Sequence, residues 1–101
     1  MESIPQKFTL LGVEWKVVFN NDRCDDEKAY GMCVYAERTI YMTTKGHGVK
    51  RPVSAMLQTF YHELTHAFLF ELNEDKLGKD ERLVGLLGGL LHQFMITKKH
   101  K

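Results

Sequence analysis

Apolar positions along the 101-residue chain change their period near its middle. In the first half they alternate. Within "KFTLLGVEWKVVF", residues 7–19, Val13, Trp15 and Val17 are separated by Glu14 and Lys16. That two-residue repeat predicts a strand with one buried and one wet face, and makes Trp15 a core residue. β-branched and aromatic residues on both sides of Leu11-Gly12 predict a hairpin there. The polar run "NNDRCDDEK" reads as an exposed turn. Two further apolar runs in "YGMCVYAERTIYMT", residues 30–43, meet about Glu37-Arg38 and predict a second hairpin. "TKGHGVKRP" then reads as a loop, in which Pro52 stops any strand.

From residue 54 the period lengthens. Ser54, just after Pro52, is a candidate cap for a helix running to about Asn73. Leu57, Phe60, Leu64, Ala67 and Phe68 supply its apolar side. "NEDKLGK" breaks the pattern, with Gly78 as the natural interruption. Asp80 could open a second helix, from Glu81 to about Thr97. The predicted order is strands over about 7–43, then helices over about 54–73 and 80–97. This is a single α+β domain over 1–101: a small antiparallel sheet of two hairpins, followed by two helices packed on one face.

Composition narrows the function classes. Fourteen Lys and Arg against thirteen Asp and Glu leave a formal charge of +1, without a basic stripe interleaved with aromatics. Nucleic acid is therefore not an expected partner. The terminal KKHK suits a solvated helix end. No stretch reaches transmembrane length, and MESIPQKF lacks the apolar run of a signal peptide, so the expectation is a cytoplasmic protein with no membrane partner. Cys24 and Cys33 are not spaced as a zinc ribbon or redox pair, and free thiols fit a reducing compartment.

The chemistry lies in "SAMLQTFYHELTHAFLFELN". Residues 62–66 read HELTH. Side chains four apart share a helix face, so His62 and His66 can aim ring nitrogens at one point. Zn²⁺ accepts that geometry. Glu63 lies roughly 100° around the helix, too far for a close ligand but placed to reach a water on the metal. In the HExxH pattern that glutamate is the general base: zinc lowers the water's pKa and the carboxylate takes its proton as it attacks a carbonyl.

A catalytic zinc needs a third protein ligand. The extended pattern HExxHxxGxxH is excluded, because Leu69 and Leu72 occupy its Gly and His positions. The candidates are Glu81, Asp80, His92, His47 and His100. Packing favours Glu81. Glu81, Gly85, Gly88 and His92 form one stripe on the second helix, with Gly89 beside it. Each helical Gly costs roughly 1 kcal/mol against Ala, and close approach to the first helix is a reason to bear it. Such approach carries Glu81 toward the histidines. His92 lies eleven residues on, roughly 16 Å along the helix, so the two cannot serve the same metal. Tyr61, Tyr41, Tyr35 and His47 are available as oxyanion donors, none singled out. Asn73 falls on the histidine face and could support the ligands.

The YGMCVYAERTIYMT hairpin, HELTHAFL on a helix and a later helix opening DERLVGLL together resemble the minimal zincin-type metallopeptidase domains. The similarity covers roughly residues 30–95 and is nearest to the ImmA/IrrE-like proteins and short phage or prophage zincins, with SprT-like domains more distant. The resemblance implies a zincin-like fold, with His62, His66 and Glu81 as zinc ligands and Glu63 as base. It implies a bacterial or phage hydrolase that cuts one protein or peptide partner. Gly and Leu follow Glu81, where that group often has Ala and Asn. Two rivals remain: a catalytically inactive, zinc-stabilised binding or inhibitor protein, and a metal-free interaction module.

Overall fold

The computed structural model describes residues 4–46 and 48–100. Its first hairpin joins β1 (Lys7–Leu10) to β2 (Val13–Phe19), with Phe8 opposite Trp15 and Leu10 opposite Val13. Leu11 and Gly12 both have positive φ, 49° and 82°. That is the turn whose twist suits a two-residue hairpin. The alternation in β2 is real: Trp15 and Val17 are buried, while Glu14 and Lys16 are exposed.

The predicted polar turn is instead a short helix, α1 (Asn21–Asp26). Asn20 caps it by accepting from the Arg23 N–H at 3.0 Å, and Cys24 is buried beneath it. The second hairpin joins β3 (Gly31–Val34) to β4 (Thr39–Met42) through a 3-10 turn at Tyr35–Glu37, closed by Arg38 at φ 46°.

The α+β architecture stands, but the sheet is mixed rather than wholly antiparallel. Its order is β1-β2-β4-β3, and β2 pairs with β4 in parallel, Val17 beside Ile40. α1 carries the chain past β2 to the far edge, so β4 returns between them. The Asn20 N–H donates to Met42 O, and Asn21 bonds Thr43 and Thr44, which pins that crossover. All four residues of β4 are buried, as expected of a central strand.

The loop before the main helix holds a two-residue ladder, β5 (Lys45–Gly46) with β6 (Val49–Lys50). The helix itself, α2 (Val53–Glu71), has Pro52 rather than Ser54 at its N-cap. A single turn, α3 (Asp75–Gly78), occupies the predicted break. Asp80 caps α4 (Glu81–Thr97) by accepting from the Leu83 N–H, as its sequence position suggests. Trp15, Val17, Ile40 and Met42 from the sheet meet Leu57, Phe60, Tyr61 and Ala67 from α2 in one core, with Leu91 and Met95 of α4 against it.

Candidate metal centre

Two glycines set the site's shape. A Cβ at Gly88 would lie 2.9 Å from His62 Cα and 3.1 Å from His62 N, so only Gly lets α4 press on α2 at the histidine turn. On the other flank, a Cβ at Gly31 would lie 2.6 Å from Thr59 Cγ2 and 3.3 Å from Glu63 Cγ. The HELTH turn is thus gripped between the backbones of α4 and β3. The predicted glycine stripe is correct at one position only: Gly85 and Gly89 face open space.

The grip brings Glu81 to the histidines. His62 Nε2 is 3.2 Å from Glu81 Oε2, and His66 Nε2 is 3.3 Å from Glu81 Oε1. The ligand atoms of His62, His66 and Glu81 all lie within 4.8 Å of one another, and the group could hold a metal ion. Each histidine thus has one oxygen of the Glu81 carboxylate within reach of an ion bound between them. The donor set, two imidazoles and one carboxylate, suits zinc.

His66 is buried, and burial, more than any other influence, holds its pKa below the ordinary histidine range. A neutral ring is what ligation requires. Its Nδ1 lies 3.4 Å from the Tyr35 hydroxyl. A proton on Nδ1 leaves the Nε2 lone pair directed at Glu81 and the cluster. Burial, followed by the nearby Cys33 and Glu63, pushes the Tyr35 phenol up to about 12, so it stays a neutral hydrogen-bonding group.

Glu63 lies against Gly31 on β3. Among the described residues no hydrogen bond or ion pair reaches its carboxylate. Burial, then the charge of Glu81, raises its pKa to about 7. Cys33 shares this neighbourhood; burial and Glu63 push its thiol up, which keeps it protonated, and both cysteines are free.

The remaining sequence candidates separate cleanly. Asp80 is spent on the α4 cap. His92 stacks on Tyr61 at 5.6 Å and is not in the cluster, and His100 lies past the far end of α4. His47 lies outside the described residues. Tyr41 donates to Glu37 and sits under Arg23, while Tyr61 packs on Phe60 in the core. Asn73 takes a left-handed turn, φ 59°, and its N–H donates to Phe70 O. Tyr35 and Gly31 are the site residues that motif reasoning did not assign. Their alternation with Cys33 along "GMCVY", facing the helix, is the signal that could have found them.

No protein-family model matches the chain, and no curated protein or solved structure matches it.

Proposed function

We propose that this protein is a zinc-dependent metallopeptidase that hydrolyses peptide bonds of a specific protein partner. The observation that carries the reading is the convergence of His62, His66 and Glu81, whose ligand atoms lie within 4.8 Å of one another, with Glu63 one residue from the first ligand and unpaired among the described residues. His62, His66 and Glu81 would hold the ion, which supplies the chemistry of a Lewis acid, polarising a carbonyl and acidifying water. Glu63 accepts the proton of the attacking water and returns it to the departing amine. Tyr35 holds the His66 ring in place. Among the described residues no fourth ligand joins the three, so a position is left for substrate.

Substrate presentation follows from the sheet. β3 is an edge strand, and it carries Gly31 and Cys33 past Glu63. An extended peptide adding to that edge would place its backbone beside the carboxylate. The test is cleavage of a peptide library and of whole bacterial extract by the wild-type chain and by Glu63→Gln. Wild-type cleavage that EDTA abolishes, zinc restores and Glu63→Gln lacks is the expected result. A zinc-loaded wild-type chain that cuts nothing would move the reading to the inactive, zinc-stabilised binding protein.

A further inference from the structure

The Thr43 N–H donates to Tyr30 O, which extends the β3–β4 ladder one residue past Gly31. Alternate residues of an antiparallel strand turn their N–H and C=O the same way. Tyr30 and Met32 therefore use theirs on β4, while Gly31 and Cys33 turn theirs to the open edge. The residues that lead into β3, Lys28 to Tyr30, form one wall of a pocket of about 590 Å³, and Lys45 lines it too. Arg51 ties this pocket to α2. Its guanidinium lies over the Tyr30 ring at 4.3 Å, and its Nη2 donates to Ala55 O at 3.1 Å and to Thr59 Oγ1 at 2.9 Å. Thr59 is the side chain that faces Gly31 next to Glu63.

The positive charge at this end of β3 is unanswered. Lys7, Arg23 and Arg38 each pair with a carboxylate. Among the described residues Lys28, Lys45, Lys50 and Arg51 have no such partner, and Arg51 Nη1 is buried without an acceptor. Lys45 stands directly opposite Lys50 in the β5–β6 ladder, and like charges so placed repel. Against these cations the pocket sets one acid, Asp25; Asp22, Asp26 and Glu27 do not line it.

We propose that this pocket takes the carboxylate side chain, Asp or Glu, of an extended peptide that pairs with the free edge of β3 at Gly31 and Cys33. The inference rests on the reading of β3 as the strand that receives the protein partner. Main-chain pairing holds the peptide, and the lysines select the residue. A strand advances roughly 3.3 Å per residue, so a peptide residue roughly two or three positions past the one beside Gly31 reaches the pocket. A peptide bond held at Glu63 then has an acidic residue at a short, constant distance on one side. A free phosphate would satisfy the lysines but has no use for the strand edge.

The test is fluorescence polarisation of labelled octapeptide pools, with Glu, Lys or Ala fixed at each position in turn. The protein is the full Glu63→Gln chain in zinc-containing buffer, which binds without cutting. At one or two positions the Glu pools should bind at least about tenfold tighter than the Lys pools. Adding Lys45→Glu should abolish or invert that preference, and Lys28→Glu should do so independently. Lys7→Glu, on the far edge strand, makes the same change in net charge and should leave it intact. N-methylation of the peptide backbone should remove binding. The proposal is overturned by the absence of peptide binding or of a Glu preference. A preference that survives both Lys45→Glu and Lys28→Glu, or that Lys7→Glu removes equally, also overturns it. Cleavage by the zinc-loaded wild type is read separately. Acidic peptides that bind and are not cut would sink the peptidase and keep the pocket. Cuts with no acidic residue at a constant distance would sink the pocket and keep the peptidase.

Discussion

Glu63 and Glu71 stand eight residues apart on one helix, in opposite surroundings. Glu71 is answered by the sheet: the Trp15 indole N–H donates to its Oε2 at 2.7 Å, and Arg38 Nε at 2.8 Å. The Arg38 hydrogen bond and the Trp15 indole hold its carboxyl below the usual range, although burial pulls the other way. Glu63 sits against Gly31 with no cation and no donor among the described residues. A half-buried carboxylate with matched partners ties elements together; one without them stands ready for something its surroundings do not supply. The first is architecture, and the second fits the base of the proposed hydrolase.

The largest expected effect tests the architectural half. Glu71→Ala leaves the buried indole N–H of Trp15 unpartnered and frees Arg38, and should lower unfolding stability by roughly 2–4 kcal/mol in urea. Glu63→Gln should leave stability of the metal-free protein unchanged or raise it, since it removes an unmatched charge. Equal losses from both substitutions would break the contrast.

Packing at the two kinds of glycine gives a smaller effect. Gly88→Ala drives a methyl into the His62 backbone, and should cost roughly 1–3 kcal/mol together with weaker metal binding. Gly85→Ala meets nothing, and should gain up to about 1 kcal/mol. Tyr35→Phe removes only the hydroxyl beside His66 Nδ1. Zinc affinity, measured by competition with a chelating dye, should fall roughly tenfold with little change in fold.

Much of this was legible in the sequence. The two hairpin turns, the alternation around Trp15, the long helix and the Asp80 cap are local features, written within a few residues. Helical spacing also separated Glu81 from His92, because eleven residues cannot fold back within one straight helix. The parallel β2–β4 pairing was not legible, since it depends on where α1 sends the chain. The grip of Gly31 on α2 has the same non-local origin: a single glycine in a strand does not announce which helix it meets. The three-glycine stripe led to Gly88 but did not distinguish it from Gly85 and Gly89, which need a different explanation.

The smallest effect concerns acid. Glu71 and Glu37 both have folded-state pKa values below 4.5, Glu71 through Arg38 and Glu37 through the Tyr41 and Arg23 hydrogen bonds. Their stabilisation is present above the unfolded value and is lost as pH falls through the folded one. Unfolding stability should therefore decline below about pH 4.5, and Glu71→Gln should flatten that decline.

The most direct measurement is zinc per chain, by elemental analysis of the untagged protein after reconstitution. The wild type and Glu63→Gln should each carry close to one zinc, while His62→Ala and Glu81→Ala should carry almost none. A wild type that takes up no zinc, or histidine and glutamate variants that keep it, would contradict a metal centre at His62, His66 and Glu81.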